Sequence, residues 1–264
     1  MNSTLIPFWN DALGPPANLL FFLVCVGIAA YVQTLTGFAF GLILLSSVAV
    51  FDIVPVTDAA NAAMVLTLIN TYSFFRADRR PPPWRMMRPA LISGACFVVL
   101  GVVVLMWLSS QATHWLKIVL GAVICGSAIL LMLQTKPRET VSPPAAFSVA
   151  GGFAGLLGGM FGTSGPPIVY LLYQQPLEYL VVRRALILMF ATSSCIRLVM
   201  VLASGTFTLR SMVLCGLSVP IVHFITTFTA GRPLPFSVRI LRTGVSCLLV
   251  VTGAMLVFSG WSQT

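Results

Sequence analysis

The chain has 264 residues, of which 58% are hydrophobic and only 8% charged, against about 25% charged in an ordinary soluble domain. So few charges exclude a water-soluble globular surface, and long continuous apolar runs exclude a β-barrel, whose strands read as short alternating segments. The net charge of +9, from 15 Lys and Arg against 6 Asp and Glu, does not point to nucleic acid: the cations cluster in short loops between apolar runs, where they face anionic headgroups.

The predicted elements are membrane helices, since helices satisfy their own backbone polar groups in lipid. Met1 to Asn18 contains no Lys or Arg, so the basic segment of a secretory signal is missing. Leu19 to Phe51 is a single uncharged stretch. As one helix it would be about 50 Å long, too long for one crossing of a core about 30 Å thick. The interruption falls at Gln33, Thr34, Thr36 and Gly37, which predicts two short helices joined there. Thr57 to Phe75, Pro89 to Leu108 and Trp115 to Leu133 read as ordinary spans. A polar linker with three prolines, Gln134 to Pro144, then divides the chain. It sets two repeats, residues 1–136 and 137–264.

The second repeat opens like the first. Ala145 to Tyr173 is uncharged and interrupted at Gly162 to Pro167, where two adjacent prolines remove backbone donors. Ala185 to Ala203, Ser211 to Ala230 and Ile240 to Gly260 follow as spans. Charge decides how the broken stretches run. If each enters the membrane and returns, twelve loop cations share one side: Arg76, Arg79, Arg80, Arg85 and Arg88; Lys136 and Arg138; Arg183 and Arg184; Arg232, Arg239 and Arg242. Only Lys117 and Arg210 lie opposite. The positive-inside rule favours this arrangement over eight single crossings with parallel repeats. The fold class expected is therefore an all-α integral membrane protein of two inverted repeats, each a broken helix pair plus three spans. It would lie in the inner (plasma) membrane with both termini outside the cytoplasm.

Binding in such folds occurs near the midplane, at the interrupted helices. Half-helix N-termini offer unpaired N–H groups and a favourable dipole to anions. The candidates are Thr34 to Gly41, with Gly37, Phe38 and Gly41, and Gly158 to Pro167, with Gly162, Thr163, Ser164, Gly165, Pro166 and Pro167. The competing reading is helix packing, because Gly37/Gly41, Gly151/Gly155, Gly155/Gly159 and Gly158/Gly162 are spaced G-x-x-x-G. Arg197 lies about 20 Å beyond Arg184 along a helix, well inside a span, and an intramembrane charge is functional by default. It suits an anionic substrate; its alternative is snorkelling to the far interface. Asn61 and Asn70 are either helix glue or ligand donors, and Gln33 is read the same way. His223, inside a span, is read as a hydrogen-bonded packing residue ahead of a proton relay. Asp52, Asp58 and Glu178 sit near span ends. With no carboxylate deep in the membrane, a coupling proton or sodium ion has no evident relay.

The six cysteines lie in apolar runs without C-x-x-C spacing and read as small buried hydrophobes. His114 and His223 are the only histidines. No metal, haem or other cofactor is expected, and H-E-x-x-H, P-loop and G-x-S-x-G motifs are missing. An enzyme is therefore not expected.

GGFAGLLGGMFGTSGPPIVYLLY resembles the second-half signature of the sulfite exporter TauE/SafE family, the TSUP transporters, with Ser164 in place of a glycine. QTLTGFAFGLILLSS is similar to the family's first-half Q-x-x-T-G-F-G-F, with Ala39 in place of a glycine. Ser46 and Ser47 stand where a proline often follows. Arg184-Ala185 and Arg197 fit a further pattern of the family. The resemblance runs from about Leu19 to Trp261. It implies transport of a small sulfur-containing anion, such as sulfite or a sulfonate, and binding at Gly37, Phe38 and Gly41 and at Gly162 to Pro167. The reading is a secondary transporter working by alternating access; the alternatives are an anion channel and a non-transporting accessory subunit of a membrane complex.

Overall fold

A computed structural model describes residues 16–51, 53–109, 126, 129, 138–161, 166–230, 250 and 254. Its described residues form eight helices and no strand: α1 (Pro16–Thr36), α2 (Phe40–Phe51), α3 (Val56–Ala77), α4 (Trp84–Ser109), α5 (Pro144–Phe161), α6 (Pro166–Tyr173), α7 (Tyr179–Ala203) and α8 (Leu209–Ala230). The expected spans Trp115 to Leu133 and Ile240 to Gly260 fall on, or almost wholly on, residues outside that set.

α1, α7, α8 and residues 84–104 of α4 are each long and apolar enough to cross a membrane. Outward faces are apolar, as lipid requires: Leu20, Val24 and Ile28 on α1 and Phe224 and Phe228 on α8 are all exposed. α3 is long enough, at 22 residues, but more polar. Its polar side chains Asp58, Asn61, Thr67, Asn70 and Ser73 are buried, because they face neighbouring helices rather than lipid.

The first interruption falls where the sequence places it, but the two pieces are unequal. α1 has 21 residues and α2 has 12, so only α2 is short. α5 has 18 residues and α6 has 8. Two starts are also earlier than hydropathy indicates, at Trp84 rather than Pro89 and at Tyr179 rather than Ala185. An apolar window stops at charge, whereas a helix continues as long as its charged residues find partners or water. Arg85 and Arg88 on α4 are exposed. Arg183 and Arg184, expected in a loop, instead lie in the second turn of α7 with 1% and 7% exposure. That correction takes two of the twelve one-sided cations out of the loops; Arg76, Arg85 and Arg88 also lie in the end turns of helices, as does Arg210 opposite.

Two groups of three helices make the body. α8 packs along α1 and α3, and α4 packs along α5 and α7. Exchanging the halves (α1 with α5, α3 with α7, α4 with α8) carries one group onto the other. α3 and α7 join the groups, α2 packs on α1 and α3, and α6 packs on α5 and α7. Contacts also give direction. Ala90, Gly94 and Val98 of α4 meet Gly151, Gly155 and Gly159 of α5 in step, so those helices run parallel. Asn61 reaches Ser211 and Asn70 reaches Thr226, so α3 and α8 run parallel. The C-terminal end of α3, in contrast, meets the start of α7 through Asp78 and Arg184.

The α4–α5 seam is glycine against backbone. A Cβ on Gly151 would strike Ala90, and one on Gly155 would strike Gly94. The packing reading of Gly151, Gly155 and Gly159 accounts for them fully.

Candidate functional site

The first interruption is built by three residues. The Gly37 N–H closes the last turn of α1 on the Gln33 carbonyl at 2.7 Å. Gly37 then takes φ +86° and Ala39 φ +81°. Glycine enters this left-handed region freely, whereas alanine does so at a cost of about 1–2 kcal/mol. Ala39 therefore holds, with a methyl group, a backbone shape that suits the glycine usual at this place in the resembling family. Thr36 ties the break internally: its hydroxyl donates to the Val32 carbonyl at 2.8 Å or the Phe38 carbonyl at 2.9 Å and accepts from the Phe38 N–H at 3.2 Å.

The end of α6 and the start of α7 close over this break. A Cβ on Gly37 would lie 2.7 Å from the Arg183 carbonyl oxygen and 3.0 Å from the Leu186 Cβ, so α1 ends directly against the α7 backbone. Tyr173, at the end of α6, donates to the Thr36 carbonyl at 3.3 Å. Tyr179, at the start of α7, donates to the Leu35 carbonyl. Phe38, 4% exposed, sets its ring edge-on to Tyr173 with centroids 6.4 Å apart. Two tyrosines thus satisfy carbonyls that the end of α1 leaves open. Gly41 sits half-buried in the first turn of α2.

This geometry separates two substitutions. Ala39→Gly should be tolerated, because strain relieved offsets a lost methyl. Gly37→Ala should lower the melting temperature of detergent-purified protein and reduce its yield, since a Cβ meets fixed backbone and positive φ together. A Gly37→Ala protein that melts with the wild type would contradict the contact.

Gly162 to Gly165, at the second interruption, lie outside the described residues. Pro166 and Pro167 are the first two residues of α6, where a missing N–H costs nothing. Arg197 is half-buried in α7, and its Nη1 donates to the Gly158 carbonyl at 3.3 Å. That carbonyl belongs to the last turn of α5, so this cation does sit beside the second interruption. The two interruptions are not side by side on α7: Gly37 touches it at Arg183 and Gly158 at Arg197, about 21 Å apart along the helix.

Asn61 and Asn70 both tie helices together. Asn61 Nδ2 donates to the Thr206 carbonyl at 3.2 Å and Ser211 at 3.4 Å. Nearby, Asp58, in the first turn of α3, is buried and accepts from Thr208 and Ser211. Asn70, fully buried, donates to Thr34 at 2.9 Å and Thr226 at 2.7 Å, joining α1, α3 and α8. Its Oδ1 has no partner among the described residues. His223 Nδ1 pairs with Ser73 Oγ at 2.8 Å, as a packing histidine would.

Sequence reasoning did not single out Arg183, Tyr173 or Tyr179. Arg183 lies against the Phe74 ring, 4.5 Å from its centroid, and Nη2 donates to the Ala230 carbonyl at 3.2 Å. Its one warning in the sequence was adjacency to Arg184, which a topology count treats as a loop signal. Among the described residues no group of three His, Cys, Asp or Glu could hold a metal.

Comparison with known proteins agrees with this picture. The family model described as "Sulfite exporter TauE/SafE" matches residues 21–256. The chain is 34% identical over 239 residues to a protein of Cupriavidus necator named "Probable sulfite/organosulfonate exporter TauE", covering 89% of this chain and 93% of that one. No solved structure matches. The family is one of exporters, not enzymes. An all-helical membrane body, a glycine-broken first helix pair and a match across nearly the whole length place this chain in the sulfite exporter TauE/SafE family.

Proposed function

We propose that the protein is a secondary transporter that carries a small sulfur oxyanion, sulfite or an organosulfonate, out of the cell by alternating access. The observation that carries this reading is the first interruption, where both repeats meet at one glycine: α1 stops against the α7 backbone at Gly37. Relative movement of the halves must work through that contact. Along its route the substrate would meet Gly37, Phe38 and Gly41 with Asn70 at one level and Asn61, Arg197 and the Gly162 to Pro167 segment at others, with half-helix N–H groups and hydroxyls replacing its hydration in turn.

We read the repeats, residues 1–136 and 137–264, as inverted. Support comes from direction: α3 ends where its counterpart α7 begins, at the Asp78–Arg184 pair. Six described cations at or beside these helix ends, Arg76, Arg79, Arg80, Arg85, Arg88 and Arg138, argue that this side faces the cytoplasm, with the termini opposite.

The test is uptake of radiolabelled sulfite, small sulfonates and matched carboxylates into proteoliposomes, under imposed proton and sodium gradients. Saturable flux with counterflow for sulfur anions is the expected result, whereas a channel gives no counterflow. No flux of any of them from folded protein would overturn the reading in favour of an accessory subunit.

A further inference from the structure

Asp58 is the one buried acidic residue among those described. It is 5% exposed, whereas Asp78 is half-buried and paired with Arg184, and Glu139 and Glu178 are exposed. It is the third residue of α3, at the end away from Arg76, Arg79 and Arg80. Its partners lie 150 to 153 positions later in the chain, at the start of α8 and just before it. Thr208 donates to Oδ1 at 2.5 Å and Ser211 at 3.0 Å. Arg210 Nη1 stands 4.0 Å from Oδ2.

Hydrogens do not balance in this cluster. Thr208 Oγ1 and Ser211 Oγ are themselves 2.8 Å apart, so with Asp58 Oδ1 three oxygens stand within hydrogen-bond distance of one another. An ionised carboxylate only accepts, and each hydroxyl carries one hydrogen. Two hydrogens serve two of the three contacts, and the third pair of oxygens has none between them. The Ser211 N–H reaches Thr208 at 3.0 Å and Asn61 Nδ2 reaches Ser211 at 3.4 Å, but both approach from outside the triangle. A proton on Asp58 supplies the missing hydrogen.

Position gives that proton a consequence. α1 ends against Arg183, the fifth residue of α7. Exchanging the halves carries Arg183 onto Ala60, the fifth residue of α3 and two places from Asp58. The Asp58 turn is thus the counterpart of the turn on which the first interruption closes, where relative movement must act. The charged group facing Asp58 from α8 is Arg210. α1 and α2 carry no charged residue, and Cys25 of α1 faces Ser47. On α7, Arg183 and Arg184 lie at its start, beside the far end of α3, and Arg197 bonds Gly158. Asp52 lies outside the described residues. His223 pairs with Ser73, about four turns further along α3.

We propose that Asp58 carries a coupling proton, taken up from outside the cytoplasm and released into it as the anion leaves. One O–H bond forms and later breaks, and one proton moves inward for each anion outward. Ionised, Asp58 attracts Arg210 and accepts from both hydroxyls, tying α3 to the start of α8; neutral, it loses the attraction to Arg210 and donates a hydrogen of its own. This rests on the proposed transport and names the ion coupled to it.

The experiment uses proteoliposomes with the membrane potential clamped at zero and radiolabelled ethanesulfonate, which stays ionised throughout. With the lumen one pH unit more acidic than the medium, wild type should concentrate the anion about ten-fold inside, because one coupled proton converts the proton ratio into an equal anion ratio. Asp58→Asn, of the same shape without a titratable group, should reach equal concentrations while keeping counterflow. His223→Asn should still concentrate the anion. If Asp58→Asn does not fold, Asp58→Asn with Arg210→Gln, which removes both charges, replaces it. Equal concentrations in wild type, or ten-fold accumulation in the Asp58 variant, would overturn the proposal. Infrared difference spectra of purified protein between acid and alkaline buffer read the proton without transport. A protonated-carboxyl band lost only in the Asp58 variant supports the site even if no anion moves, an outcome that would overturn transport alone; a band unchanged in that variant overturns the site.

Discussion

Asp78→Ala should lower the melting temperature on the order of 10 °C, one of the largest stability losses available to a single change in this chain. The Asp78 carboxylate sits 2.7 Å from Arg184 Nε, with the arginine and aspartate side chains 8% and 18% exposed. Removing one partner of a buried pair leaves the other charge uncompensated and costs about 3–5 kcal/mol. The cost is aggravated here because Arg183, the neighbouring residue, is also buried. A shift of that size follows if each kcal/mol is worth roughly 2–4 °C. The companion experiment removes both charges. Asp78→Ala with Arg184→Met should recover most of the loss, since a long apolar chain fills the space without a charge to desolvate. Melting of Asp78→Ala within about 1–2 °C of wild type, a shift worth under roughly 1 kcal/mol, would show that water reaches Arg184 and that this end of the α3–α7 contact is open.

That pair also explains where the sequence was readable and where it was not. Hydropathy reports what touches lipid, so helices with a lipid face were legible, and so was the first break, because two left-handed residues stop any helix. Hydropathy is silent about charge buried between helices. Arg183 and Arg184 look like a loop because they are charged, yet one is covered by an aromatic ring and a carbonyl and the other by a carboxylate just past the end of α3. Asp78 lies 106 positions before Arg184, and Ala230 lies 47 positions after Arg183. No local pattern reveals such separations.

The candidate site divides along the same line. Glycines announced the break, because backbone shape is a local property. The tyrosines that close it did not, because Tyr173 and Tyr179 act on α1 carbonyls 137 and 144 positions earlier in the chain. Asn70 was ambiguous for a related reason. One amide can join helices with its nitrogen and face a ligand with its oxygen, and only the arrangement of α1, α3 and α8 separates the two ends. The inequality of α1 and α2 was hidden too: the uncharged run from Leu19 to Phe51 fixes total length but not the point at which the Gln33–Gly37 bond closes the last turn.

Arg197→Ala should remove most transport, ten-fold or more, while leaving the fold intact. The two halves of that expectation rest on different observations. Stability is little affected because the described interaction is one hydrogen bond, 3.3 Å from Nη1 to the Gly158 carbonyl, worth about 1 kcal/mol or less when half-exposed. Transport is affected because Arg197 is the cation beside the second interruption, and no described carboxylate is bonded to it. A guanidinium held by a single carbonyl keeps further N–H donors for an anion, and a charge-assisted bond to an oxyanion is worth roughly 1.5–3 kcal/mol, or about 10- to 100-fold in affinity. Arg197→Lys discriminates between the functional role and snorkelling. Lysine snorkels as well as arginine, so a purely interfacial role predicts full activity for Lys and near-full activity for Ala. A binding role predicts that Lys keeps the charge but loses planar two-point contact, giving an intermediate rate with a raised KM. The measurement is initial rate against sulfite or sulfonate concentration in proteoliposomes of matched protein content, with folding checked by melting temperature. Normal flux in a folded Arg197→Ala protein would remove this residue from the site and leave Arg183, near the start of α7, as the cation that meets the substrate.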